Sequence, residues 1–166
     1  MSISKRLKTI ADLVTETDTA ADIGTDHALV PLYLLKENRV KKVIAIDKSP
    51  DCLKKAQDAA VKYSLEGRLE SRLSDGLENL KPYEAQTIII SGMGGILMCD
   101  ILSRGIEVAQ TARDLILSPH RDRDLVRDFL GNNDFEIVID ETISDRKKEY
   151  CVIKARNRRF FLKEDA

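Results

Sequence analysis

The sequence predicts a doubly wound α/β fold: a seven-stranded, mainly parallel sheet with an antiparallel last strand and helices on both faces. Three observations carry this expectation. Five short apolar runs, Ala20 to Ile23, Val43 to Asp47, Leu69 to Ser74, Thr87 to Ser91 and Leu115 to Ser118, lack polar alternation, as do strands buried on both faces. Between them lie helical stretches near Pro31 to Asn38, Pro50 to Tyr63, Ile96 to Gln110 and Arg123 to Asn132, the crossovers of a parallel sheet. Two further strand-like runs, Phe135 to Ile143 and Glu149 to Arg156, are joined only by Ser144-Asp145-Arg146-Lys147-Lys148. A parallel crossover needs about a dozen residues, so this last pair is antiparallel.

At the N-terminus, Ile3, Leu7, Ile10 and Val14 recur at helical spacing behind Ser2 or Ser4, which predicts a capped amphipathic helix on the sheet. The 166 residues suit one domain spanning 1–166, with no repeat or change of composition to divide it. The net charge of −1 excludes a uniformly basic surface, yet Arg146, Lys147, Lys148, Lys154, Arg156, Arg158, Arg159 and Lys163 gather near the end. That run suits either a nucleic-acid footprint or a solvated edge strand. No apolar run approaches the roughly 18 residues of a membrane span, and the first residues lack a signal-peptide core, so a cytoplasmic location is expected. Cys52, Cys99 and Cys151 are widely spaced, which fits reduced, mostly buried thiols, and two histidines make no convincing metal site.

The chemistry gathers at the ends of the predicted strands. Asp22-Ile23-Gly24-Thr25-Asp26-His27 follows the first, where a glycine lets the backbone turn tightly toward a ligand. Dinucleotide-binding turns place a second glycine two residues on, to admit a pyrophosphate; Asp26 occupies that place and would repel one. A nucleoside-bearing cation such as S-adenosylmethionine suits the turn better than NAD. Asp47 ends the second strand, where a carboxylate can accept ribose hydroxyls; the alternative, capping the helix that starts near Pro50, is filled better by position by Ser49. Ser74-Asp75-Gly76 follows the third strand; Asp75 can accept an adenine amine, and a plain turn is the alternative. Ser91-Gly92-Met93-Gly94-Gly95 follows the fourth, and so many glycines permit close backbone approach to donor and substrate. His27 sits in the first turn and is the stronger histidine candidate, while His120 ends the fifth strand in Ser118-Pro119-His120. Neither has a nucleophile and supporting acid arranged for a hydrolytic triad.

Taken together, Asp22-Ile23-Gly24-Thr25-Asp26-His27-Ala28, Ile46-Asp47, Ser74-Asp75-Gly76-Leu77, Ser91-Gly92-Met93-Gly94-Gly95 and Leu115-Ile116-Leu117-Ser118-Pro119 resemble the bacterial tRNA adenine-22 N1-methyltransferase family, in order and over nearly the whole chain. The resemblance implies a Rossmann-like class I methyltransferase fold, S-adenosylmethionine as donor and tRNA as substrate. It implies a donor site of Asp22, Gly24, Thr25, Asp26 and His27, with Asp47 and Lys48 at the ribose and Ser74, Asp75 and Gly76 at the adenine. Gly92, Met93, Gly94 and Gly95 would meet donor and target base, and Asp26, His27 and Met93 are the implied catalytic residues. The family continues into a C-terminal coiled coil that grips tRNA, whereas this sequence stops at Ala166, so a catalytic domain without that handle is expected. The Asp-Pro-Pro-aromatic type of motif used on exocyclic amines is missing after the fourth strand. Rival readings are a methyltransferase of another RNA or nucleotide, an NAD-type oxidoreductase, and a non-catalytic donor- or RNA-binding module.

Overall fold

The computed structural model describes residues 1–164, with side chains through Phe161; the side chain of Lys163 in the basic run and the last two positions of the expected 1–166 span fall outside the described part. Helix α1 (Lys5–Asp12) is capped by Ser4, whose hydroxyl accepts the Leu7 amide at 3.3 Å. There follow β1 (Thr17–Ile23), α2 (Leu29–Lys36), β2 (Val40–Asp47), α3 (Pro50–Lys62), β3 (Leu69–Leu73), β4 (Thr87–Met93), α4 (Gly95–Arg104), α5 (Ile106–Ala109), β5 (Asp114–Pro119), α6 (Arg123–Asn132), β6 (Phe135–Asp145), β7 (Lys148–Asn157) and α7 (Arg158–Glu164). The sheet order is β3-β2-β1-β4-β5-β7-β6; β1 to β5 are parallel, and β7 lies antiparallel between β5 and β6.

Both faces of the sheet are covered, which explains the unbroken apolar runs. Ala20, Val43, Ala45, Ile89 and Ile116 pack with Ile10, Leu32, Leu35 and Ala56 of the first three helices. Ala21, Ile23, Ile44, Ile88, Ile90 and Leu117 pack with Met98, Leu102, Val126 and Leu130 on the other face. Strand order reverses between β1 and β4, and the crevice outside their carboxyl ends is where folds of this kind bind ligands.

Four expectations need correction. The single helix foreseen over Ile96 to Gln110 is two, because Gly105 ends α4 in close contact with Leu77, where a Cβ would lie only 2.5 Å from the Leu77 Cβ. Helix α2 starts at Leu29 rather than Pro31, since proline is tolerated within a first turn. Of the three free cysteines only Cys151 is buried; Cys52 and Cys99 are partly exposed.

The fourth concerns the basic run, which does not form one surface. Strand β7 carries ten of its residues about 30 Å across the sheet, so Arg146, Lys147 and Lys148 stand at the carboxyl edge while Arg156, Arg158 and Arg159 reach the opposite one. The distal half is partly structural. Lys154 is buried, its ammonium donates to the Thr15 hydroxyl at 2.8 Å, and burial lowers its pKa. Arg156 donates to buried Asp114 at 2.9 Å. At the proximal end the hairpin turn holds Arg146 at φ 51° and Lys147 at φ 66°. Both are left-handed, a conformation costing roughly 1–2 kcal/mol per non-glycine residue.

Candidate functional site

The turn after β1 is built by backbone strain and backbone hydrogen bonds. Gly24 has φ +75°, a conformation that favours glycine, and a Cβ there would lie 2.5 Å from the Met93 methyl, the mobile end of a flexible side chain. Its amide and that of Thr25 donate to the Ile46 carbonyl at 2.8 and 3.1 Å, which draws the turn across the end of β2. Asp26 and Ala28 are also left-handed, with φ 46° and 56°, and swing the chain into α2. Beneath the turn is a cavity of about 170 Å³ lined by Arg6, Asp22, Asp26, His27, Ser91 and Gly92, among others.

Asp22 is only 5% exposed. Burial pushes its pKa up to about 7, the Thr25 hydroxyl offsets part of that, and the Asp47 carboxylate adds to it. Asp26 is exposed at the rim; its carboxylate lies 3.8 Å from His27 Nε2 and 3.9 Å from the Cys52 thiol.

Arg6, which the sequence reading passed over, forms the cationic wall. One guanidinium nitrogen is buried without a hydrogen-bond partner, and the guanidinium lies 4.9 Å from the centroid of the Tyr150 ring. Its backbone amide donates to Asp145 at 3.0 Å, fastening α1 to the terminal hairpin. A sequence signal existed: Lys8 has Asp12 at i+4, whereas Arg6 has Thr9 and Ile10 at the helical neighbour positions.

The remaining candidates flank this cavity. Asp47 spends one oxygen on the Ser49 amide at 2.9 Å, leaving the other for a ligand, and Ser49 caps α3 as its position suggested; Lys48 is exposed. The Ser74 hydroxyl is absorbed by its own turn, donating to the Gly76 carbonyl and accepting the Asn79 amide. Asp75 is exposed and lies 3.5 Å from Arg104, which also holds Asp100 and Glu78. Met93 has no proton to exchange, and its contribution is shape, with its methyl against Gly24 and its carbonyl accepting the His120 amide at 2.8 Å. Gly94 carries the Arg121 side chain at 3.4 Å from its would-be Cβ. Gly95 donates to the Arg121 carbonyl at 2.9 Å and has no room for a Cβ, which would meet the Asp122 oxygen at 2.5 Å. The loops after β4 and β5 are thus locked together, and the His120 imidazole stands beside Gly92. Among the described residues no group of three His, Cys, Asp or Glu is placed to hold a metal, and no helix is long and apolar enough to cross a membrane.

Residues 3–153 match the family described as "Methyltransferase domain". The chain belongs to that family. Among relatives of this methyltransferase domain, the Bacillus subtilis (strain 168) "tRNA (adenine(22)-N(1))-methyltransferase" is 31% identical over 93% of this chain; the chain spans 65% of that protein's length. A Streptococcus pneumoniae structure described as a putative tRNA (m1A22) methyltransferase in complex with S-adenosyl-L-methionine superposes with TM-score 0.89 at 28% identity, covering 94% of this chain and 73% of its own. The M. capricolum TrmK structure, in complex with S-adenosyl-homocysteine, gives TM-score 0.87 at 28% identity, covering 95% and 70%.

Proposed function

We propose that this methyltransferase domain uses S-adenosylmethionine to methylate tRNA in the cytoplasm, at N1 of adenine 22. One observation carries the reading of the donor: buried Asp22 and the unpartnered guanidinium nitrogen of Arg6 face the same small cavity. Opposite charges so placed complement the ammonium and carboxylate of an amino-acid moiety, and a pyrophosphate would meet the Asp26 carboxylate. The names of the similar proteins support tRNA and adenine N1. Asp47 would hold the ribose with its free oxygen, and Asp75 would reach the donor adenine in competition with Arg104.

When bound, S-adenosylmethionine supplies an electrophilic methyl group, which the in-plane lone pair of adenine N1 accepts without first losing a proton. The chain therefore needs no strong general base, and its residues act by positioning. Asp26 at the rim offsets positive charge appearing on the base, and His27 orients that carboxylate. The locked loops carrying Gly92 to Gly95 and His120 give the base a rigid seat.

Incubation with methyl-labelled donor and unmodified bulk tRNA, followed by nucleoside analysis, is expected to yield 1-methyladenosine. Label on a cytosine or guanine would overturn the base assignment, and no label would overturn the activity. Arg6→Gln is expected to weaken S-adenosylhomocysteine binding about tenfold or more while leaving 5′-methylthioadenosine, which lacks the carboxylate, unaffected. Equal losses for both ligands in calorimetry would show that Arg6 supports only the fold.

A further inference from the structure

We propose that the tip of the β6–β7 hairpin, Arg146-Lys147-Lys148, grips the phosphate backbone of the RNA substrate beside the methyl-transfer mouth; this rests on the RNA reading above. Pairing between β5 and β7 ends at Leu117 and Ile153, so Lys148 to Val152 project beyond it by about 16 Å. The hairpin thereby overhangs the edge where the donor turn and the Gly92 loop open. Between it and the β5–α6 loop runs a groove of about 370 Å³ lined by Pro119, His120, Lys148, Glu149 and Tyr150, and His120 joins this groove to Gly92.

The tip is chemically equipped for phosphate. Arg146, Lys147 and Lys148 are exposed, and among the described residues none has a carboxylate partner within ion-pair distance. Arg121 stands on the β5–α6 loop and Arg123 at the start of α6. The nearby acids are Glu149 in the groove, Asp122, Asp124, which Arg127 holds at 2.9 Å, and Asp145, which accepts the Arg6 amide.

Turn chemistry supplies an independent argument. Two successive left-handed residues form the connection for which Asn-Gly is the low-strain choice, yet this chain places Arg and Lys there. Strain retained where a glycine would relieve it points to side chains kept for another purpose. Long cations at an overhanging tip suit a polyanion passing the mouth, where lost counterions drive association.

The test replaces the turn by its relaxed form, Arg146→Asn with Lys147→Gly. The expected results are a Tm higher by about 2–4 °C, unchanged S-adenosylhomocysteine affinity, and KM for unmodified tRNA raised about tenfold with kcat within about twofold. The slope of log affinity against log salt is expected to fall by about 2, and the exchange Arg146→Lys with Lys147→Arg to restore KM. Lys148→Glu, in ordinary strand conformation, tests the same charge without altering the turn and is expected to raise KM further. Wild-type methylation of tRNA with unchanged KM and salt slope in these variants would overturn the proposal alone. A wild-type chain that leaves RNA unmethylated would overturn the RNA reading and this inference with it, as would tip-dependent binding of an acidic polypeptide instead of RNA.

Discussion

Asp22→Asn is expected to weaken S-adenosylhomocysteine binding by about a hundredfold or more while making the ligand-free protein more stable at neutral pH. The two effects have one cause. In the folded protein the carboxylate is buried and its pKa is pushed up to about 7, so ionising it works against the fold. A ligand ammonium would reverse that balance, and deleting one member of a desolvated charge pair costs about 2–5 kcal/mol. The pH dependence has a definite sign. Below the unfolded value of 3.8 the group is protonated in both states; between there and about 7 only the unfolded chain releases the proton. Stability supplied by the neutral carboxyl is therefore lost as pH rises through this window, by a total of order 4 kcal/mol, and the loss stops above pH 7. Denaturant unfolding of wild type and Asp22→Asn at pH 5, 6, 7 and 8 should give curves that diverge up to pH 7 and then run parallel. Parallel curves throughout would refute the raised pKa. The same linkage makes ligand uptake near neutrality release a proton, so calorimetric heats should vary with the ionisation enthalpy of the buffer.

The second large effect is expected from Gly95→Ala, a single methyl placed where two loops touch. Its Cβ would sit 2.5 Å from the Asp122 oxygen and 2.8 Å from the Arg121 oxygen, both backbone atoms, so the β4–α4 and β5–α6 loops must separate. Such crowding costs about 1–3 kcal/mol in stability. The catalytic cost is expected to be larger, because a displacement of about 1 Å between reacting groups lowers turnover roughly a hundredfold. Single-turnover rates at saturating donor and tRNA measure it, with S-adenosylhomocysteine affinity changing far less. Gly131→Ala is the control: nothing lies within 4 Å of its Cβ and it sits in α6, so about 0.5–1 kcal/mol of added stability is expected. Normal turnover in Gly95→Ala would mean that the loop lock does not position the base.

The sequence made the strand ends legible because burial on both faces leaves a plain signature. Val43 to Asp47 and Leu115 to Ser118 show no alternation since helices cover each side, and the short link after Ile143 forced an antiparallel ending. What stayed hidden depends on contacts between distant residues. The break at Gly105 arises from Leu77, and the capture of Asp75 in the loop after β3 from Arg104 of α4. The basic run looked continuous because charge was read along the chain, while an antiparallel strand delivers its halves to opposite edges. Arg6 was overlooked because an amphipathic helix directs the eye to its apolar positions. Its significance comes from Tyr150 and Asp145, more than a hundred residues away.

That separation governs the order of assembly. One wall of the cavity beneath the glycine turn stands on residue 6, yet it is held in place by residues 145 and 150, so the pocket joins α1 to β6 and β7. During synthesis α1 waits until β6 and β7 have been made before the Arg6 guanidinium has Tyr150 to lean on, and closing so long a loop is entropically costly. An unfinished chain holding the glycine turn and all three strand-end aspartates still lacks a formed cavity. S-adenosylhomocysteine added during refolding is thus expected to act only after β6 and β7 have docked against α1.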